Sequence, residues 1–271
     1  MKKFKLLFLI LWIISCSKPQ VSNLDDCGTA YSFDDPKKIM DQQLVAKVRY
    51  VVFLDTIDTL NAEYINQSLA ALNGGLDKET FKDRLDLKFE LDEIITICSK
   101  DKKEDMPSFI KHAFEYNKEG VFNIYIYGDN QPYMTGELQS VRGRAAGILS
   151  RSIAVRHAYI SSSTIIHEML HCLGLIHVHQ NDPTDGFNTE KGDLVCDTQA
   201  INIEEYTTGD CNYIGPHMEG DIPEKYTCNI MTYVKAECRN CLTDGQIDRV
   251  RAKIFDTSFL RECFGLPVSE I

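Results

Sequence analysis

Apolar runs of strand length alternate with helically spaced apolar positions up to about residue 177, and that regularity fades afterwards. Val45 to Leu54 is a β-branched and aromatic run of the kind that fills a buried strand. From Thr59 to Leu72 the residues Leu60, Tyr64, Ile65, Leu69 and Leu72 recur at helical spacing, and Asn73-Gly74-Gly75 ends the pattern. Asp86 to Cys98 predicts a second strand, with Leu87, Phe89 and Leu91 on one face of its first half, and Val121 to Tyr127 predicts a third. Gly143 to Leu149 and Ala154 to Ile160 are shorter strand candidates. Helices are predicted from about Ser162 and from Thr243 to Phe255. Strands alternating with helices, then a long irregular stretch, predict an α+β chain: an α/β-type N-terminal lobe over 46–177 and a loop-rich C-terminal lobe over 178–271. No internal repeat is visible.

The ends of the chain read differently. Lys2, Lys3 and Lys5 precede the apolar run Leu6 to Ile14, which is too short to span a bilayer and reads as a signal peptide over residues 1–15. It ends in Ile13-Ile14-Ser15-Cys16, which resembles the bacterial lipobox, in which the cysteine is lipidated. The expected location is the bacterial cell envelope, lipid-anchored through Cys16; with an ordinary signal peptide the chain is instead secreted. Residues 16–45 are polar and aperiodic, a tether or pro-segment. The net charge of −11, which becomes −14 once the three lysines of residues 1–15 are removed, excludes a nucleic-acid partner. Ten cysteines in an exported chain imply disulfides, and six of them (Cys196, Cys211, Cys228, Cys238, Cys241 and Cys263) crowd the C-terminal part.

The chemistry is concentrated in residues 167–177, His-Glu-Met-Leu-His-Cys-Leu-Gly-Leu-Ile-His. On a helix His167 and His171 project from one face, close enough to share an ion. A continuing helix would carry His177 round by about 280°. His177 therefore joins them only if the helix ends, and Gly174 stands where a left-handed helix-ending residue is needed. Three imidazoles fill three tetrahedral zinc positions and leave one for water, which is the pattern of a catalytic site. Glu168, beside a ligand, is placed to take the proton of that water. The whole pattern arises by chance in about one chain in a hundred thousand at ordinary residue usage. His112, His157, His179 and His217 are read as ordinary surface or core residues.

The extended motif resembles that of the metzincin zinc proteases. Two further segments resemble the pappalysin family within them: Gly192-Asp193-Leu194-Val195-Cys196-Asp197-Thr198, and Leu242-Thr243-Asp244-Gly245-Gln246. The small bacterial members, ulilysin and the cytophagalysins, are the nearest in pattern. The resemblance implies a metzincin fold, with a mostly parallel sheet, an active-site helix and a disulfide-stapled C-terminal lobe. It implies a zinc metalloendopeptidase acting on peptides or proteins as a monomer. Within Asn229-Ile230-Met231-Thr232-Tyr233, Met231 is then the methionine under the metal, and Tyr233 the phenol that stabilises the oxyanion. Gly143 to Leu149 becomes the rim strand that pairs with substrate. Asp193 and Thr198 match calcium positions, or else form a hydrogen-bonded loop. Cys27 in Cys27-Gly28-Thr29 resembles a cysteine switch that caps the zinc, or else forms a disulfide. Cys211 to Cys238 is the bridge implied.

With Cys16, Cys27 and helix-borne Cys172 set aside, seven cysteines remain and cannot all pair. Relatives that cut before Lys or Arg carry an aspartate where this chain has Ala236, so cleavage before uncharged residues is expected instead. A non-catalytic, lipid-anchored binding protein on the same scaffold is the alternative. It would be expected to lack Glu168 or Tyr233, and both are present.

Overall fold

The computed structural model describes residues 43–53, 62–74, 85–97, 109–129, 141–180, 192–195, 197–198, 228–233 and 236–268. All of these fall within one compact unit, Phe33–Ile271. The signal and lipobox residues, with Cys16, Cys27, Cys98, Cys196 and Cys211, lie outside the described residues. Five strands, β1 (Leu44–Phe53), β2 (Leu87–Ile97), β3 (Phe122–Tyr127), β4 (Gly143–Ala145) and β5 (Ser152–Arg156), form one sheet in the order β2-β1-β3-β5-β4. Its pairings are parallel except at the edge, where β4 runs antiparallel to β5. The helices are α1 (Ala62–Gly74), α2 (Phe109–Tyr116), α3 (Ser163–Cys172), α4 (Asp244–Asp256) and α5 (Ser258–Cys263). This is the mixed α/β architecture with a mostly parallel sheet that the sequence predicts.

Parallel neighbours need crossovers, and α1 and α2 provide those from β1 to β2 and from β2 to β3. Strands covered on both faces read as continuous apolar runs, which is why all six residues of β3 are buried. On one face Tyr50, Val52, Ile124, Ile126 and Val155 pack with Ile65 of α1, Ile166 and Met169 of α3, and Ile247 and Val250 of α4. On the other, Val51, Phe53, Tyr125 and Tyr127 pack with Phe109 and Ala113 of α2. Each such aliphatic or aromatic side chain contributes about 1.5–3 kcal/mol when fully buried. The face carrying α3 is thereby held rigidly against the sheet. No described helix is long and apolar enough to cross a membrane.

Several elements differ from the sequence expectation. Leu91 is exposed rather than sharing the buried face of Leu87 and Phe89. The ladder slips between Val48 and Arg49, which pair with Leu91 and Glu93, so the unpaired Asp92 is a bulge that reverses the alternation. Ile95 and Ile97 then pack on the opposite face. β4 ends at Ala145 rather than Leu149. Leu149 adopts φ 57° and donates its N–H to the His171 carbonyl at 3.1 Å, turning the chain out of the strand towards α3. The strand expected over Ala154 to Ile160 starts earlier and becomes a 3-10 turn, His157–Tyr159. Helices α2 and α5 were not predicted.

The cysteines resolve in part. Cys228 bridges Cys241, with Cα atoms 5.3 Å apart. Cys238 is also disulfide-bonded, while its expected partner Cys211 lies outside the described residues. Cys172 and Cys263 are free, buried thiols, and burial pushes each up to about 12.

Candidate metal centre

Helix α3 starts at a Ser162 cap that accepts from the Thr164 N–H. It ends in a Schellman turn: Leu175 donates to the Leu170 carbonyl at 3.0 Å, Gly174 to that of His171 at 3.0 Å, and Gly174 has φ 96°. That reversal returns the chain so that His177 faces the helix. The Nε2 of His177 lies 3.1 Å from that of His167 and 3.0 Å from that of His171. Among the described residues these three form the one group of His, Cys, Asp or Glu side chains able to hold a metal ion.

Backbone carbonyls determine the tautomers. His167 donates its Nδ1–H to the Ile230 carbonyl at 2.6 Å, and His171 donates its own to the Leu175 carbonyl at 2.7 Å. A neutral ring with its proton on Nδ1 carries its lone pair on Nε2. At least two lone pairs therefore converge with His177 on one point, which repels unless a cation sits there. Four tetrahedral zinc bonds of about 2.0–2.1 Å would separate the nitrogens by about 3.3–3.4 Å, close to the spacing found. Burial favours neutral imidazoles: desolvation first, then their neighbours, lowers His167 well below the usual value and His177 to about 2. The donor set fits zinc.

Glu168 is buried, and desolvation raises its carboxyl to about 7, against the pull of the Ala145 N–H, Arg239 and Arg144. A Cβ built on Gly143 would lie 2.8 Å from both Glu168 Cγ and Thr164 Cγ2, so the glycine lets β4 lie against the carboxylate. Gly143→Ala is expected to displace the Glu168 side chain while leaving the three imidazoles in place. A drop in peptide turnover of about tenfold or more, with unchanged metal stoichiometry by elemental analysis, would register this.

Met231 is fully buried, in a turn closed by Thr232 donating to the Asn229 carbonyl at 3.2 Å. The Val178 N–H donates to the Met231 carbonyl at 3.2 Å, tying the chain after His177 to that turn. Tyr233 is half-exposed, its ring 4.7 Å from that of His177 and 4.3 Å from that of His179. His179, expected to be an ordinary residue, stacks on His177 at 4.6 Å.

Asp193 and Thr198 bond residues at the start of α4. Asp193 accepts from the Val195 N–H at 3.0 Å and from Gln246 Nε2 at 2.7 Å, and Thr198 bonds Thr243 Oγ1 at 3.0 Å. Asp197 accepts from Thr243 Oγ1 and from the Gly245 N–H, both at 2.8 Å. The segment works as a staple to the helix, and no described feature supports calcium there. Desolvation raises Asp193 to about 6 despite the Gln246 bond.

Sequence reasoning missed Arg239, a buried cation that donates to the Thr232 carbonyl at 3.0 Å. It also missed the carbonyls of Ile230 and Leu175, since backbone groups leave no trace in a motif.

Residues 153–255 match the family model Peptidase_M43, described as pregnancy-associated plasma protein-A. No curated protein sequence matches significantly. Among solved structures, metalloproteinase-II from Bacteroides fragilis aligns over 52% of this chain and 45% of its own, at 13% identity and a TM-score of 0.35. A chain from a chaperone–substrate complex aligns over 82% of this one and 38% of its own, at 14% identity and a TM-score of 0.37. This chain thus spans less than half of either. The matched segment runs from β5 through the three histidines into α4.

Proposed function

We propose that this chain is a zinc-dependent metalloendopeptidase whose metal is held by His167, His171 and His177, with Glu168 as general base. The observation that carries this reading is the convergence of three imidazole Nε2 atoms, with those of His167 and His171 3.1 and 3.0 Å from that of His177, next in sequence to a buried carboxylate, Glu168. Zinc bound there supplies Lewis acidity and lowers the pKa of water towards about 7. Glu168 would accept a proton from the attacking water and return it to the leaving amine. The Tyr233 hydroxyl, beside His177, donates to the oxygen on which charge develops in the transition state. Among the described strands β4 is the edge of the sheet, and its outer side would offer main-chain partners to an extended substrate. Its residue Gly143 touches Glu168, so a peptide paired there passes the base. Export with a lipid anchor at Cys16 and latency through Cys27 belong to the same reading.

The test is peptide cleavage by the purified protein with and without a chelator. Cleavage at internal bonds should vanish when zinc is stripped and return when one equivalent is restored. Turnover that is indifferent to chelation, in protein shown to be metal-free, would overturn the proposal.

A further inference from the structure

Arg239 follows the 3-10 turn Ala236–Cys238 and is only 7% exposed. Its bond to the Thr232 carbonyl fixes the guanidinium beside the Met231–Tyr233 turn, and its Nε is buried without a hydrogen-bond partner. A guanidinium keeps its proton at any accessible pH, so this is a permanent buried cation. The Thr232 carbonyl it holds precedes Tyr233, whose ring lies 4.7 Å from that of His177, so the guanidinium is anchored on the backbone turn next to the histidines; its charge is felt by Glu168 and Tyr233. Arg142 acts on Arg239 and Arg144 acts on Glu168, so further positive charge flanks β4. Among the described residues, the one carboxylate whose charge reaches Arg239 is Glu168. That group is engaged as the base and accepts from the Ala145 N–H. A buried cation with an unfilled donor, whose one carboxylate neighbour among the described residues is already engaged, is completed by a carboxylate brought in from outside.

We infer that Arg239 is a specificity-determining residue that pairs with a substrate carboxylate next to the scissile bond, so that acidic peptides are selected over neutral and basic ones. This rests on the peptidase reading above and replaces the expectation of uncharged residues drawn from Ala236. That position removes a preference for basic residues, and Arg239 supplies the opposite charge. A planar fork holds a carboxylate through two parallel bonds, so the discrimination between Glu and its isosteric amide should be about tenfold to a hundredfold.

The experiment compares zinc-loaded protein on matched peptides carrying Glu, Gln or Lys at each position flanking the cleaved bond, each with a free or an amidated C-terminus. The expected wild-type ratio of kcat/KM for Glu over Gln is about tenfold or more. Arg239→Met should bring it close to one, and Arg239→Lys should keep part of it, with zinc content and melting temperature showing that both variants are folded. A preference that follows the free C-terminus instead of the side chain keeps the pairing and identifies the terminal carboxylate as its source. If Arg239 only pins the Thr232 carbonyl, Arg239→Met slows all peptides in parallel and leaves the ratio unmoved, which overturns the inference. Binding of the same peptides to zinc-loaded Glu168→Gln protein, read by fluorescence anisotropy, separates the two readings. Absence of turnover in the wild type defeats the peptidase assignment, whereas an affinity indifferent both to Glu against Gln and to a free against an amidated C-terminus defeats the role of Arg239.

Discussion

Glu168→Gln is expected to bind one zinc and to turn over peptide about 10³–10⁴-fold more slowly than the wild type. The amide has the same shape, so its oxygen still accepts from the Ala145 N–H and the imidazoles keep their carbonyl partners. It cannot take a proton, and nothing else described beside the histidines can do so as readily. Tyr233 is shifted upwards by desolvation and then by the Glu168 charge, and the imidazole lone pairs face the metal position. Burial that raises Glu168 to about 7 also has a consequence for stability. The folded carboxyl holds its proton more tightly than an unfolded one at about 4.5, so its burial penalty is absent below that pH and grows as pH rises towards 7. In metal-free protein at pH 8 the amide removes that penalty, and the variant should be more stable by about 1–3 kcal/mol. A bound cation favours the carboxylate, so with zinc the difference shrinks. Metal content, kcat and the two melting temperatures together decide the matter. Wild-type turnover in a zinc-loaded variant would remove Glu168 from the mechanism.

The parts of the molecule that were legible are those where one physical rule dominates. β3, and β1 from Tyr50 onwards, are buried on both faces and read as apolar runs; α3 and α4 carry a cap at one end and an apolar stripe. Gly174 announced the reversal after α3 because only a left-handed residue can place His177 opposite His171. Other features depend on packing that a single sequence does not display. In α2 the buried positions are Phe109, His112 and Ala113 while Phe114 is 89% exposed, so its apolar residues do not mark one face. The bulge at Asp92 has no residue signature, and it moves Ile95 and Ile97 across the sheet. Near the histidines, Arg239 follows a cysteine in an irregular segment, where a charged residue ordinarily faces water. Its burial comes from the turn at Ala236–Cys238 and the Thr232 carbonyl. The Cys228–Cys241 bridge could not be chosen among seven cysteines without knowing that Asn229 pairs with Cys241.

Gln246→Glu is expected to lower stability by about 3–5 kcal/mol at pH 8 and to weaken zinc binding from a distance. Gln246 is fully buried and both ends of its amide are committed. Nε2 donates to Asp193 at 2.7 Å, and Oε1 accepts from Asn229 Nδ2 at 2.8 Å and from the Thr243 N–H at 3.1 Å. Flipping the amide cannot help, because three partners dictate which end is oxygen. The substitution replaces one donor by an acceptor and sets two carboxylates at hydrogen-bond distance, where both cannot stay ionised. Asp193 lies at about 6 even with the amide donating to it, so losing that bond and gaining a like charge moves the pair higher still. The sign follows: folded-state affinity for the proton exceeds that of the unfolded chain, so the penalty deepens as pH rises from about 4 through neutrality. At pH 5 the pair can share a proton and the loss should fall to about 1 kcal/mol. For a chain of this size the loss at pH 8 corresponds to a melting temperature lower by about 10 °C. The effect reaches the metal through Asn229, whose side chain accepts from the Met231 N–H at 2.9 Å, in the turn whose Ile230 carbonyl orients His167. In the double variant Asp193→Asn/Gln246→Glu the new amide donates to the new carboxylate, and most of the stability should return. A melting temperature for Gln246→Glu within about 1 °C of the wild type at both pH values would show that the network does not hold this turn.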